Sequence, residues 1–147
     1  MSKSVVTLSI KGLEIFDELP QEILNAVNEG LDDIAQDLKR VSSGVAPLKT
    51  GKLKDSYTHN KSNSGGVDVH EISYSAYNKT FNYAAWTHDA DYKLGKLSKK
   101  RIPPLSAYSN EQLKVGKGYL IGTYEILEAD YLKHLEEVIY AALKNYK

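Results

Sequence analysis

Residues 46–58 read APLKTGKLKDSYT, and they follow directly on a long amphipathic segment. Pro47 cannot continue a helix, and the residue before a proline is driven toward extended geometry. Thr50 and Gly51 then provide a turn, after which Leu53 and Tyr57 are predicted to begin a second, shorter ordered segment. The stretch holds none of the residue patterns that bind phosphate or build a catalytic site. We therefore interpret it as the point where a helix gives way to a sheet.

The segment before this turn is predicted to be a long helix over residues 17–43. Its apolar residues recur at spacings of three and four, which places them on one face of a helix. Asp17 is the predicted N-cap, Pro20 suits the first turn, and Gly44 is the predicted stop. The apolar stripe consists of Ile23, Val27, Leu31, Ile34, Leu38 and Val41.

Three other segments are predicted to be strands. Residues 5–13 alternate apolar and polar side chains, which is typical of a half-buried strand. Residues 67–77 and 81–88 are predicted to pair as a hairpin. The polar run 60–66, NKSNSGG, is predicted to be a loop. The apolar face of the first strand would consist of Val6, Leu8 and Ile10.

The second half of the chain contains a long basic loop and a final helix. Residues 89–117 are polar and irregular, and a loop of that length is usually functional or disordered. Residues 118–124 form either a last strand or the lead into a helix over 130–146. The inward residues of that helix are predicted to be Leu132, Leu135, Val138, Ile139, Ala142 and Leu143.

The order of elements predicts an α+β fold with a single domain over residues 1–147. Strands cluster in the middle of the chain instead of alternating with helices, which favours an antiparallel sheet. We expect that sheet to pack against the long N-terminal helix and the C-terminal helix.

Composition excludes some classes of protein. The chain has 147 residues and no cysteine, so it contains neither disulfides nor zinc sites built from thiolates. No apolar run reaches the roughly 18 residues that a membrane-spanning helix needs. Tyrosine occurs eleven times, against two phenylalanines and one tryptophan. Tyrosine suits surfaces that are half-buried or become buried on assembly. We expect no cofactor.

Charge is balanced overall but unevenly distributed. Nineteen basic and nineteen acidic residues cancel, yet residues 14–37 carry only acidic charges and residues 93–117 carry mainly basic ones. Oppositely charged patches on one chain can pair head to tail, and such contacts form rings when they close. The candidate residues for a contact between subunits or with a partner are Asp32, Asp33, Asp37, Tyr92, Lys93, Lys96, Lys99, Lys100 and Arg101.

Two other functions are open from the residues alone. The basic cluster at 93–101 could bind nucleic-acid phosphates, although charge runs are more often simply solvated. His88, Asp89 and Asp91 could hold a metal in a hydrolase, with His70 as a further ligand. They are few and follow no recognised metal-ligand spacing. No G-x-S-x-G nucleophile pattern occurs, and we do not expect an enzyme.

The chain resembles a known family through three ordered segments. Ala-Pro at 46–47 is followed by Thr-Gly-x-Leu-x-x-Ser at 50–56. Residues 83–89 contain Tyr-Ala, a tryptophan and His-Asp, and residues 115–120 read Val-Gly-x-x-Tyr-Leu. These features are similar to the tail-completion, or head–tail joining, proteins of long-tailed bacteriophages, often labelled minor capsid or tail-component proteins. The resemblance covers residues from about 20 to 147.

The resemblance implies a structural protein of the virion neck without catalytic activity. Its subunits would form a ring, commonly six-fold, between head-completion or adaptor proteins and tail-tube or tail-terminator proteins. DNA would pass through the lumen without sequence recognition, no membrane would be involved, and assembly would take place in the host cytoplasm. In this reading Pro47 and Gly51 set the turn, Leu53 packs it, and Tyr83 and Trp86 anchor the sheet. The structural motif comprises Pro47, Thr50, Gly51, Leu53, Tyr83, Trp86, Gly116 and Tyr119.

Overall fold

Helix α1 (Gln21–Val45) is the central element of the molecule. The computed structural model describes residues 6–11, 19–48, 51–78 and 81–146 of the chain. The apolar stripe predicted from the sequence is buried along α1. The helix begins immediately after Pro20, whose carbonyl accepts the Ile23 and Leu24 N–H groups. The predicted N-cap, Asp17, lies outside the described residues.

Helix α1 ends two residues later than predicted. Gly44 does not stop it, because the helix runs through Val45. Gly44 instead leaves room for a neighbour, since a Cβ there would lie 2.5 Å from Pro104 Cγ. Ala46 then takes an extended conformation, with φ −66° and ψ 139°. Pro47 is the stop signal, as predicted, because its ring disfavours helical geometry in the preceding residue.

A three-stranded antiparallel sheet packs on one side of α1. It consists of β1 (Val6–Lys11), β2 (Tyr57–Ser64) and β3 (Val67–Tyr74), with β3 in the centre. In β1, Leu8 lies opposite Ile72, and the pairs Val6–Tyr74 and Ile10–His70 flank it. Leu8 thus lies on the sheet face of His70, Ile72 and Tyr74, which are all buried.

The main hairpin is formed by β2 and β3 and not by residues 67–77 with 81–88. Most of the predicted loop 60–66 is strand, and only Gly65 and Gly66 form the turn, with φ of 63° and 91°. Two consecutive residues with positive φ suit the right-handed twist of a two-residue hairpin. β2 was missed because it is an almost fully exposed edge strand, and polar side chains on such an edge resemble a loop in composition.

The predicted strand 81–88 is mostly a helix. Strands β4 (Tyr77–Asn78) and β5 (Phe81–Asn82) form a separate two-stranded pair, and α2 (Tyr83–Asp89) follows at once. The Asn82 side chain caps α2 by accepting the Ala84 N–H at 3.0 Å. The buried residues of α2 are spaced by three and one, which is a helical period. They are Ala84, Thr87 and His88.

The C-terminal helix is longer than predicted, and the side of the helix that faces the core is different from the predicted side. After the short α3 (Lys96–Lys99), the chain enters α4 (Ile121–Asn145) through a turn at 117–120. Leu135 is buried as expected, but Leu132 and Leu143 are exposed. The side facing the core starts earlier, at residues that the predicted helix 130–146 mostly excluded. Its buried residues are Thr123, Leu127, Tyr131 and Leu135.

The two long helices pack antiparallel and complete one small α+β domain, which confirms the predicted fold class. Asp37 contacts Tyr131 and Asp33 contacts His134, so residue numbers fall along α1 as they rise along α4. Helix α1 therefore lies between the sheet and α4, with apolar core on both sides. In the described part of the chain no helix is both long enough and apolar enough to cross a membrane.

Candidate functional site

Three distant segments meet at the C-terminal end of α1. The Gly116 N–H donates to the Val45 carbonyl at 2.9 Å, which ties the turn before α4 to the last residue of α1. The Gly118 N–H donates to the His88 carbonyl at 2.8 Å. The Tyr119 hydroxyl donates to the Ala84 carbonyl at 2.8 Å, inside the protein. The segments around residues 46–53, 83–89 and 115–120 thus form one hydrogen-bonded unit.

The imidazole of His88 belongs to this unit. His88 is buried, its Nε2 accepts the Ile121 N–H at 3.1 Å, and its ring meets the Tyr119 ring edge to face. The Tyr119 ring in turn packs edge to face on Tyr74 of the sheet, with 5.1 Å between centroids. Burial raises the pKa of both Tyr74 and Tyr119, so both hydroxyls are neutral. His88 therefore joins α2, α4 and the sheet.

The turn after α1 has the roles predicted for it. Gly51 has φ +87°, which a glycine adopts without strain. Leu53 is buried against the core. The Ser43 hydroxyl donates to the Lys54 carbonyl at 2.8 Å, which holds the turn against the last turn of α1. Thr50, the remaining motif residue in this stretch, lies outside the described residues.

An apolar groove opens beside this unit, and we call it the aromatic groove. It encloses about 720 Å³ between the exit of α1, the β4–β5 pair, α2 and α3. Trp86 stacks on Tyr92, with 5.1 Å between ring centroids, and remains 46% exposed. Trp86 and Tyr83 therefore lie in helix α2 and line this groove. Tyr83 also packs against the hydrophobic core, whereas Trp86 does not anchor the sheet as expected. The lining aromatic and leucine side chains include Tyr77, Phe81, Tyr83, Trp86, Tyr92 and Leu97.

Basic residues surround the aromatic groove without one common role. Lys93 and Lys96 line it and are exposed, as is Lys52 from the turn after α1. Lys99 and Lys100 are also exposed. Arg101, in contrast, turns inward, and its Nη1 donates to the Ser43 and Ala46 carbonyls at 3.1 and 2.6 Å. These carbonyls end a helix whose last turn contains no basic residue, so Arg101 supplies the cation that the helix dipole favours.

The segment carrying α3 is attached to the exit of α1. The buried Ser98 hydroxyl accepts the Leu48 N–H at 2.7 Å. The Tyr92 hydroxyl donates to the Thr87 carbonyl, and burial raises the pKa of Tyr92 to about 12. The basic residues therefore occupy a segment that is bonded to α1 and α2, although α3 is its only regular element between residues 90 and 120.

The acidic residues predicted for an interface differ in their surroundings. Asp37 is only 5% exposed, and four donors of the same chain surround its carboxylate. Arg40 Nη2 and the Ala107 N–H donate to Oδ1, both at 2.9 Å. The Ser106 and Tyr131 hydroxyls donate to Oδ2 at 2.6 and 2.8 Å. Asp37 thus joins α1, α4 and the segment between α3 and α4, and its charge does not face a neighbouring molecule.

The pKa of Asp37 reflects these contacts. Burial alone would raise it, but the hydrogen bonds from Ala107, Ser106, Tyr131 and Arg40 outweigh burial and hold the pKa below its ordinary value of 3.8. Asp33 makes a different contact, since its Oδ2 lies 2.9 Å from His134 Nε2 on α4. Asp32 is half-buried and accepts a long hydrogen bond of 3.5 Å from Gln36.

A polar cavity of about 670 Å³ lies next to this contact, between residues 106–111 and α4. The Tyr108 ring stacks on His134, with 4.0 Å between centroids. Ser109 donates to Asp130, which closes one side. The cavity therefore marks where the segment after α3 crosses α4.

A pair of histidines, of which His70 is buried, lies within the β2–β3 hairpin and was not predicted. His59 Nε2 and His70 Nδ1 are 2.8 Å apart, and His70 is fully buried with no hydrogen-bond partner for Nε2 among the described residues. Burial is the main reason that the pKa of both residues is lowered. The two rings meet because of the register of β2 on β3, which places His59 opposite Ile72 and Lys61 opposite His70.

The proposed metal ligands are engaged elsewhere. His88 Nδ1 is 2.7 Å from Asp89 Oδ1, while Asp91 accepts from Lys117 at 2.9 Å. His70 lies on β3 with His59. Across the described ranges, no three histidine, aspartate or glutamate side chains cluster in a way that could hold a metal ion.

Comparison with known proteins gave no relative. No protein-family model, no curated protein and no solved structure matches the chain. The interpretation of the site therefore depends on its geometry and on the motif resemblance.

Proposed function

We propose that this chain is a structural subunit of a bacteriophage neck, which forms a ring joining the DNA-filled head to the tail. The observation that carries the proposal is the meeting of the three motif segments at the end of α1. They are separated by about 30 residues each in sequence, yet Gly116 bonds to Val45 and Tyr119 bonds to Ala84. Motif residues that share one hydrogen-bonded unit support a common architecture with the family that they resemble.

The aromatic groove is the second support. Its exposed rings are borne on a framework that is itself well bonded, with Asn82 capping α2 and Ser98 bonded to Leu48. Exposed apolar patches edged by polar residues are typical of protein–protein contacts. In a neck ring such a groove would hold a neighbouring subunit or a head or tail partner, whereas DNA in the lumen would require only general electrostatic compatibility.

The test is a stop codon early in this gene, placed in the phage genome that encodes it. We expect lysates that contain filled heads and complete tails that are not joined, seen by negative-stain electron microscopy, with infectivity restored by the wild-type chain supplied in trans. Joined, infectious particles from the stop mutant would refute the proposal. A lysate without any heads or without any tails would also contradict it, because the defect would then precede joining.

Complementation with variants separates folding from assembly. We expect Trp86→Ser to fold, since Trp86 is 46% exposed and lies outside the buried core, but to fail in restoring joined particles. The matched control is Tyr57→Ser, an aromatic residue of β2 that is 40% exposed and does not line the groove. We expect Tyr57→Ser to restore joining; failure of both variants would show that the loss is not specific to the aromatic groove.

A further inference from the structure

Helix α4 carries an exposed apolar ridge on the side away from α1. Leu132, Tyr140 and Leu143 are 55%, 62% and 51% exposed. At about 100° per residue, these three positions lie on the opposite half of the helix from the buried Tyr131. We call them the α4 ridge. Of these three, Leu132 and Leu143 were predicted to face the core and do not.

Acidic residues border the α4 ridge. Glu125 and Glu136 are exposed and fall on the same half of the helix as Leu132 and Leu143. Lys144 lies near the end of the ridge, with its Nζ 5.7 Å from the Tyr140 ring centroid. The ridge is therefore interrupted by Glu136 between Leu132 and Tyr140, acidic beside Leu132, and partly neutralised by Lys133 and Lys144 beside Tyr140.

The aromatic groove has the complementary character. Its exposed large apolar residues are Tyr77, Phe81, Trp86 and Leu97. Lys52, Lys93 and Lys96 are its charged lining residues, and the lining contains no aspartate or glutamate. Neither Lys93 nor Lys96 takes part in an ion pair among the described residues.

We propose that the aromatic groove of one copy of this chain receives the α4 ridge of a second copy. An amphipathic helix with its apolar face in a hydrophobic groove is a common mode of recognition, and here Glu125 and Glu136 would meet the lysines of the groove. The two surfaces are different, so the contact is heterologous and repeats from copy to copy. The inference rests on the proposed function for closure into a neck ring, while the contact itself is tested separately.

Charge reversal gives the sharpest test, because two defective variants should repair each other. Variant one is Lys93→Glu with Lys96→Glu, and variant two is Glu125→Lys with Glu136→Lys. In either variant alone, groove and ridge carry the same sign, and like charges in juxtaposition disfavour contact. In a mixture, the acidic groove of variant one meets the basic ridge of variant two, and the basic groove of variant two meets the acidic ridge of variant one.

We expect self-association of the wild type in sedimentation velocity, weakened at least about tenfold in each variant alone and regained in the equimolar mixture. Lys61→Glu in β2, a strand that does not line the groove, is the control and should leave association unchanged. Association that is equal in all samples, or a mixture no better than its components, would overturn the proposal.

Disulfide trapping tests weak contacts, since the chain has no cysteine. Leu97→Cys and Leu143→Cys place thiols in the groove and on the ridge, both at exposed positions. Under mild oxidation the double variant should give a ladder of cross-linked species, and the two single variants mixed should give a dimer. If the double variant cross-links no more than the single variants, groove and ridge do not meet.

The two proposals fail in distinguishable ways. If the cross-linking and the charge-reversed mixture both show association but the stop mutant does not accumulate separate heads and tails, the contact between groove and ridge is supported and the neck function is refuted. If the stop mutant shows unjoined heads and tails but the charge-reversed mixture does not reassociate, the neck function stands and the contact lies on another surface.

Discussion

Replacing Asp37 by asparagine should destabilise the fold more than any other change of one charge in the described structure. The substitution keeps the shape of the side chain and removes only the charge and one acceptor oxygen. Asp37 accepts from four donors contributed by α1, α4 and the segment 106–107. An amide offers one oxygen and one NH₂ group, so the donors that faced the second oxygen lose their acceptor.

The cost can be worked out from these contacts. Hydrogen bonds to a charged group contribute about 1.5–3 kcal/mol each, and a buried donor left without a partner costs about 1–3 kcal/mol. The Arg40 side chain is half exposed and can return to water, and hydroxyl groups can rotate, so these losses do not add fully. We expect the free energy of unfolding to fall by about 3 kcal/mol, out of the roughly 5–15 kcal/mol usual for a domain.

The assay is urea unfolding followed by circular dichroism, with the slope m compared between variants. Asp32→Asn is the control, because Asp32 is on the same helix and, within the described part of the chain, accepts only a long hydrogen bond from Gln36. It should change the unfolding free energy by no more than about 0.5 kcal/mol. A loss below about 1 kcal/mol for Asp37→Asn would refute the reasoning that this carboxylate holds the two helices and segment 106–107 together.

The pH dependence provides an independent check on the same residue. The pKa of Asp37 is lower in the folded protein than its ordinary value of 3.8. Its contribution is therefore present above about pH 4 and is lost as the pH falls through the folded pKa. We expect the difference in unfolding free energy between wild type and Asp37→Asn to narrow between pH 5 and pH 3. A difference that is constant over this range would show that the charge is not involved.

Three further predictions concern the hairpin and the turn after α1. The pKa values of His59 and His70 are lowered in the folded protein, mainly by burial, so the unfolded chain binds more protons at these residues as the pH falls. The urea midpoint should therefore fall from pH 7.5 to 5.5, and less so in His59→Gln, whereas equal midpoints would contradict this. Gly51→Val should destabilise the domain by about 1–3 kcal/mol and lower its thermal midpoint, because the φ angle of Gly51 is +87°. Gly51→Asn should lower the midpoint clearly less; unchanged midpoints in both variants would refute a requirement for positive φ at this position. Leu53→Ala should cost about 2–5 kcal/mol in urea unfolding, since Leu53 is fully buried; a cost like that of exposed Leu97→Ala would show that the turn does not pack on the core.

The parts of the fold that the sequence predicted are those decided by local chemistry. The apolar period of α1 and the stop at Pro47 depend on neighbours a few residues away. The strand predicted at 81–88 failed because alternation of aromatic and alanine residues fits a strand and a short helix equally well. Asn82 decides the outcome by capping α2, and the same asparagine would also have been ordinary in a turn.

The parts of the site that could not be predicted depend on long-range pairing. Asp37 meets Tyr131 only because α1 and α4 run antiparallel in one particular register. His59 reaches His70 only because Gly65 and Gly66 set the hairpin register. An acidic residue in an acidic helix gives no signal that it is buried, so the patch at 14–37 suggested a uniform charged face where the structure has one internal carboxylate.

Arg101 differs from the nearby lysines because its side chain bonds within the protein, and this difference affects how the aromatic groove could bind a partner. Arg101 bonds to the Ser43 and Ala46 carbonyls, so it fixes the position of the segment from which Lys93 and Lys96 project. The same end of α1 is held by Gly116 through Val45. A groove held in place by internal hydrogen bonds loses little conformational freedom when a partner binds. Arg101→Gln should therefore weaken association even if Arg101 never touches the partner, with a loss of folding stability that Lys96→Gln does not share.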